Sequence, residues 1–325
     1  MKEFSEIAAE AKAVIDARRD ETLRKHWNKE NECYEKVPEL QNEANALAML
    51  GSRLAMLAIS DKLESDEAKD VRKKMDECEN NMTELLVKNG FPGDALMPPF
   101  VCKKCRDEGY VSDNDGIAGR CSCLNDVING IILKESGIPY KVGFEKFDIS
   151  LYDEKDRANA EELLSDAEKV VSGFPDNSRL FILGKTGVGK TFVASMIGTE
   201  LTRKGVFVVY VTLPELMRTL LYFGDDNALV RERDTMRKVL KDADMLILDE
   251  LGTEKISDAK QDILTSLIDQ RVYEDKKGTI VITNNTLREI LDNYGERVFS
   301  RLSAMKIKNI ELTEGKDLRQ KIKSV

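Results

Sequence analysis

Between Leu183 and Phe192 the chain reads Gly184-Lys185-Thr186-Gly187-Val188-Gly189-Lys190-Thr191, and this G-x-x-x-x-G-K-T stretch confines what can be built around it. Ahead of it, Leu180-Phe181-Ile182-Leu183 is a short apolar run of buried-strand type; behind it, Phe192, Val193, Met196, Ile197 and Leu201 recur at helical spacing. A strand, a glycine-rich turn and a helix in that order expose consecutive backbone N–H groups and a helix N-terminus to one point, which suits a di- or triphosphate. Lys190 then reaches the β- and γ-phosphates, and the Thr191 hydroxyl is an oxygen ligand for Mg²⁺. Gly184 to Thr191 are therefore the expected ATP-binding residues.

The rest of the C-terminal half continues the alternation. Strands are expected at 180–183, 206–212, 245–248, 279–283 and 306–312, with helical segments between the first four. Such alternation implies an α/β fold whose parallel sheet is covered on both faces. Met245-Leu246-Ile247-Leu248 ends in Asp249-Glu250, and the C-terminal end of a strand is where an open α/β sheet places its ligands. Asp249 is read as the Mg²⁺ partner and Glu250 as the group that polarises the attacking water. The next strand delivers Asn284 and Asn285; strand alternation lets one of them face the phosphate, and Asn284 is the choice. In Gly295-Glu296-Arg297-Val298-Phe299-Ser300-Arg301-Leu302, two arginines stand one helical turn apart, and either could offset charge building on the γ-phosphoryl group. Arg301 is favoured, acting on a neighbouring copy, which requires a homo-oligomer; the alternative is a surface arginine in an ion pair. Gly315-Lys316-Asp317-Leu318-Arg319 supplies a further cation, Arg319, to sense the γ-phosphate.

Together these motifs make the segment 138–325 resemble the AAA+ superfamily, specifically its DnaC/DnaI/IstB group. The resemblance rests on the phosphate loop, on Leu246-Ile247-Leu248-Asp249-Glu250-Leu251-Gly252, on Ile282-Thr283-Asn284, on Arg297 to Leu302 and on Gly315 to Arg319. In that family these are Walker A, Walker B, sensor 1, the arginine-finger segment and sensor 2. The resemblance implies a P-loop ATPase with a five-stranded parallel sheet, whose members handle DNA or a replicative helicase.

The N-terminal part differs in kind. Residues 1–93 are rich in Glu, Lys, Ala, Leu and Met, with Pro38 the only proline before Pro92, and read as a helical domain, a partner-docking module by choice with an inert helical bundle as the alternative. One helix is expected over 43–63, with Ala46, Leu47, Leu50, Leu54, Leu57, Ala58 and Ile59 inward. A second is expected over 66–89, with Val71, Met75, Cys78, Met82, Leu85 and Leu86 inward. Met49, Met56, Met75 and Met82 are read as core filler.

Residues 94–137 then carry Cys102-Lys103-Lys104-Cys105 and Cys121-Ser122-Cys123. Four thiolates in two close pairs suit a tetrahedral, structural Zn²⁺ site, with an iron–sulfur cluster or free thiols as the alternatives, and leave no open coordination position for catalysis. His26, beside Trp27, is read as structural, and Cys33 and Cys78 as ordinary thiols. A helical region, a zinc unit and an ATPase in that order, with Asp107-Glu108-Gly109-Tyr110-Val111 after Cys105, resemble the DnaI-type helicase loaders of Gram-positive bacteria. That likeness implies docking of the N-terminal part on a hexameric, DnaB-like replicative DNA helicase and contact of the ATPase with single-stranded DNA. The function expected is an ATP-dependent helicase loader in replication initiation; the alternative is an IstB-type transposition helper that binds DNA and recruits a transposase.

Charge and hydropathy limit the remaining classes. The net charge of −9 excludes a protein that coats nucleic acid by overall positive potential, so any DNA contact is focal. Arg218, Arg231, Arg233 and Arg237 either line a DNA path or form a solvated helical face. No apolar run approaches the roughly 20 residues needed to span a bilayer, and Met1-Lys2-Glu3-Phe4 is charged rather than signal-like, so a cytoplasmic location without membrane contact is expected.

Overall fold

The computed structural model describes residues 1–112, 116, 118–176, 178–252, 257–273 and 277–310. Two compact units emerge, one of residues 1–11 with 124–325 and one of residues 12–123. In chain order the helices are α1 (Phe4–Lys36), α2 (Leu40–Ile59), α3 (Asp66–Lys88), α4 (Ser122–Glu135), α5 (Arg157–Ser172), α6 (Lys190–Arg203), α7 (Leu213–Leu220), α8 (Asn227–Asp242), α9 (Asp258–Tyr273) and α10 (Leu287–Ser303). The strands are β1 (Tyr110–Ser112), β2 (Ala118–Arg120), β3 (Arg179–Gly184), β4 (Val208–Thr212), β5 (Met245–Leu251), β6 (Gly278–Thr283) and β7 (Lys306–Ile310). Among the described residues no helix is long and apolar enough to cross a membrane.

In the first unit β4, β5, β6, β3 and β7 lie side by side in that order, all parallel. The strand that feeds the glycine-rich turn is thus flanked by the last two strands among the described residues, and β6 separates it from β5. Leu180, Ile182, Ile247, Ile280 and Ile282 pack against Val193, Met196 and Ile197 of α6 and Leu163 and Val170 of α5. Burial on both faces is what continuous rather than alternating apolar strands require. The outer edge at β4 is covered where the Tyr210 N–H donates to the Ser136 carbonyl at 2.7 Å. The first residues of α1 belong to this unit: Ile7 and Ala11 are buried, the Phe4 ring lies 5.6 Å from that of Phe207, and Glu3 pairs with Lys238 at 2.9 Å.

α10 starts on a capping box, with Thr286 accepting from the Glu289 N–H and Glu289 accepting in return. Gly295, at φ +75° and ψ 171°, breaks this helix in the middle. Only a residue without Cβ takes that conformation freely, so the break resets the direction in which Arg297 and Arg301 leave the backbone.

In the second unit α2 and α3 form an antiparallel hairpin, the Ser65 hydroxyl capping α3 by accepting from the Ala68 N–H. Leu57, Ala68 and Val71 are buried between them, with Leu50, Leu54 and Met75 half-buried alongside. Cys33, Val37, Leu40, Leu86 and Ala95 form a second core that takes in Met82 and Leu85. Two expectations are corrected: Met49, Met56 and Ile59 are 76%, 61% and 89% exposed, and Ala58 is exposed as well. α2 ends at Ile59 and has α3 against one side alone, so its inward stripe is narrower than the run of apolar residues along it. β1 and β2 pair as a short antiparallel hairpin, Tyr110 opposite Arg120. His26 is buried, its Nε2 3.1 Å from the Leu96 carbonyl oxygen, as its structural reading requires.

Candidate functional site

A cleft of about 1160 Å³ opens at the C-terminal ends of β3, β5 and β6. The glycine-rich turn contributes Thr186, Gly187, Gly189, Lys190 and Thr191 to its wall. Gly187 and Gly189 take φ of +87° and +95°, left-handed values closed to most side chains; these two positions fold the turn back so that α6 begins at Lys190. Lys190 is buried, and its ammonium donates to the Gly184 carbonyl at 2.7 Å, the Lys185 carbonyl at 2.8 Å and Asn284 Oδ1 at 2.7 Å. The last contact brings the lysine of the turn and the amide at the end of β6 to one place. Asn284 lines the cleft.

The acidic pair at the end of β5 is split by the backbone. The register between β5 and β6 shifts between Leu248 and Leu251, and Glu250 adopts φ +61°. This irregularity turns consecutive carboxylates to different surroundings: Asp249 is buried and Glu250 exposed, while both line the cleft. Asp249 Oδ2 accepts from Thr191 Oγ1 at 2.8 Å and from the Tyr210 hydroxyl, and Oδ1 accepts from the Glu250 N–H at 2.7 Å. Burial and the adjacent Asp249 carboxylate push the Tyr210 phenol far up, so it remains a donor.

Sequence reasoning overlooked Tyr210, which sits on β4 in register with Ile247, while Thr212 is the partner of Asp249. A cross-strand diagonal is within reach of a tyrosine, and strand periodicity was the available signal. It also overlooked the apolar wall opposite the turn, where Pro139, Tyr140, Phe147 and Tyr152 line the cleft. Tyr140 meets Phe192 edge-on at 5.5 Å, and Phe147 stacks on Tyr152 at 5.8 Å.

The two arginines of α10 do not line this cleft. Both face Asp269 on α9, Arg301 through Nε at 2.5 Å and Arg297 at 3.6 Å. Arg319 lies outside the described residues. Of the candidate DNA-facing arginines, Arg233 donates to the Tyr222 carbonyl at 3.0 Å and contacts Asp234 at 3.1 Å, and Arg237 lies 3.8 Å from Asp234. Arg218 and Arg231 are exposed.

In the second unit the thiols of Cys102, Cys105, Cys121 and Cys123 lie within 4.8 Å of one another. Cys102 and Cys121 approach to 3.7 Å and Cys105 and Cys123 to 3.4 Å. Sulfurs held tetrahedrally at about 2.3 Å from one Zn²⁺ stand roughly 3.8 Å apart, so the chemistry and spacing of the donor set suit that ion. The Cys105 N–H pulls the Cys102 thiol down to about 7, which favours the ligating thiolate, whereas burial and Cys105 push Cys123 up. Asp107, wholly buried, accepts from the backbone N–H of Val101 at 2.9 Å and Cys102 at 3.0 Å and from Arg18 at 2.6 Å. It ties the first cysteine of the cluster to α1.

The chain is 30% identical over 140 residues to the replicative helicase loader DnaC of Escherichia coli K12, covering 43% of this chain and 56% of that protein. The DnaC of Buchnera aphidicola subsp. Baizongia pistaciae is 31% identical over 138 residues, covering 42% and 55%. The chain thus spans about half the length of these relatives. A crystal structure of DnaI superposes with a TM-score of 0.42 at 24% identity, over 58% of this chain and 93% of that one. A DnaC helicase loader structure gives 0.41 at 24%, over 50% and 96%. The model of the IstB-like ATP binding proteins matches residues 131–304, more than half of the chain. The chain therefore belongs to the family of IstB-like ATP binding proteins.

Proposed function

We propose that this protein is a helicase loader, which binds a hexameric, DnaB-like replicative helicase and uses ATP to help place it on single-stranded DNA. The observation that carries the ATP reading is the convergence of Lys190, Thr191, Asp249 and Asn284 on one cleft through direct hydrogen bonds. The loader reading draws its support from the relatives named as replicative helicase loaders and from the helical and four-cysteine segments ahead of the ATPase.

In this reading the triphosphate lies on the N–H groups of the turn and the N-terminus of α6, and Lys190 exchanges its carbonyl partners for phosphate oxygens. Its contact with Asn284 keeps the amide beside the γ-phosphate, where it orients water. Thr191 and Asp249 would hold Mg²⁺, which supplies charge neutralisation at the β- and γ-phosphates. Glu250, exposed at the mouth, accepts the proton of the attacking water. The apolar wall of Pro139, Tyr140 and Tyr152 encloses the base. Arg301 acts in the cleft of a neighbouring copy, after release from Asp269, and Arg319 acts from the C-terminal segment. The four cysteines hold a structural Zn²⁺ in a docking module that engages the helicase. Hydrolysis then switches partners, because ATP and ADP states with different partner affinities shift an assembly.

The family model also supports a second reading, a transposition helper that recruits a transposase; the four-cysteine segment, outside the matched residues, favours the loader. Co-purification of the full chain with the replicative helicase in ATP and in ADP decides between them. A complex that depends on nucleotide and is lost in Lys190→Ala is expected; no complex in any nucleotide state overturns the loader reading.

A further inference from the structure

Asp249 presents two carboxylate oxygens, and Oδ2 receives two hydroxyls, from Thr191 and from Tyr210. The first belongs to the phosphate turn and the second to a strand that carries no nucleotide motif. Tyr210 is 5% exposed, and its ring packs among the core residues of the sheet, so its hydroxyl is aimed by the fold rather than by solvent. Pairing of Thr212 with Asp249 along the β4–β5 ladder fixes the diagonal along which it reaches.

A carboxylate at a strand irregularity needs such a tether. The ladder between β5 and β6 is interrupted at Asp249, and the following residue has a left-handed backbone, so β6 does not dictate how Asp249 points. We propose that Tyr210 is a positioning residue for the divalent cation, its hydroxyl holding the Asp249 carboxylate beside Thr191 so that the cation meets a preformed pair of oxygen groups. The proposal rests on the nucleotide reading above.

Rigid presentation matters most for Mg²⁺, which demands near-ideal geometry and gives up water reluctantly. Loss of a partner that orients a metal-ligating group typically lowers metal affinity by about 10- to 100-fold. Tyr210 lines the cleft, but its hydroxyl is engaged by Asp249 rather than by phosphate or base in this scheme, so its loss leaves metal-free nucleotide affinity intact.

The test uses the full chain with ADP and Mn²⁺, following free Mn²⁺ by electron paramagnetic resonance and ADP binding by calorimetry with and without the cation. Tyr210→Phe is expected to weaken Mn²⁺ binding to the ADP complex about tenfold or more while ADP affinity in a chelator stays at the wild-type value. Hydrolysis by the variant is expected to recover when Mg²⁺ is raised. Tyr210→Met, which also lacks the hydroxyl but fills the core differently, must shift Mn²⁺ binding in the same direction. Unchanged Mn²⁺ affinity in either folded variant overturns the proposal, as does an equal loss of ADP affinity in chelator. If wild-type protein itself binds no ADP, the nucleotide reading fails instead.

Discussion

Replacing Asp107 by alanine strikes the four-cysteine segment without touching a cysteine. Its carboxylate is completely buried and accepts three hydrogen bonds, two from backbone N–H groups of Val101 and Cys102 and one from Arg18. Alanine leaves two part-buried N–H groups without this acceptor, at about 1 kcal/mol each, the low end of the range for a lost partner. Arg18 keeps 30% of its side chain in solvent, so its share falls at the low end. The expected destabilisation is about 2–3 kcal/mol, below the usual cost of breaking a fully buried charged pair. Asp107→Asn keeps the volume and one acceptor oxygen and should cost roughly half as much. Because Asp107 holds the Cys102 backbone, affinity for the proposed Zn²⁺ should fall about 10- to 100-fold in the alanine variant. Guanidinium unfolding followed by helical circular dichroism reads the first quantity. Zn²⁺ release to a chromophoric chelator reads the second. Unfolding free energy and Zn²⁺ affinity that both match wild type would refute the role assigned to this carboxylate.

Arg301→Ala should spare nucleotide binding and slow hydrolysis in the assembled form, measured by calorimetry and phosphate release; loss of binding would mean that the arginine serves its own subunit's cleft. Asp166 of α5 is 4% exposed and faces Lys306 of β7 at 2.7 Å. Burial opposes its ionisation, and Lys306 and Lys308 outweigh this and hold the carboxyl below its usual value. A depressed folded value adds stability that is full above the unfolded value of about 3.9 and is lost as pH falls through the folded one. Asp166→Asn should therefore flatten the acid limb of a thermal-stability profile below about pH 4, and an unchanged limb would exclude the pair as its source. Thr286→Ala removes the hydroxyl of the capping box ahead of α10 and should cost about 1 kcal/mol in chemical denaturation, while Thr286→Gly should cost only a few tenths.

Much of the ATPase unit was legible because its signals are local. Leu180 to Leu183 and the helix from Lys190 needed only short-range periodicity and a glycine turn, and the strand ends carrying Asp249 and Asn284 followed from alternation. What escaped depends on contacts distant in sequence. Tyr210 looked like any strand tyrosine, because its partner lies 39 residues further on. The apolar side of the cleft is made by residues before the glycine turn whose role depends on their folding back over it. Met1 lines that cleft and residues 1–11 join the ATPase unit, although α1 is one uninterrupted helix to Lys36 and nothing in its composition changes at Ala11. Met49 and Met56 failed for another reason: periodicity gives the side of a helix that is apolar, and the neighbours it meets decide how wide a stripe is covered.

The shape of β5 at Asp249-Glu250 sets stability against chemistry. Glu250 holds φ +61°, a left-handed value that costs a side-chain-bearing residue about 1 kcal/mol or more. That backbone is what buries Asp249 beside Thr191 while leaving Glu250 exposed at the mouth, so the strain and the division of labour have one origin. Glu250→Gly should relieve the strain and raise unfolding free energy by up to about 1 kcal/mol, offset in part by the greater freedom of glycine in the unfolded chain. The same change removes the carboxylate proposed to polarise water, so hydrolysis should be lost while nucleotide binding persists. Glu250→Gln keeps the side chain and its strain; it should lose hydrolysis without gaining stability. Thermal unfolding of the two variants without nucleotide separates the effects. A glycine variant no more stable than the glutamine one would show that the conformation is held without cost and that the irregularity in β5 reflects packing rather than the placing of two acids.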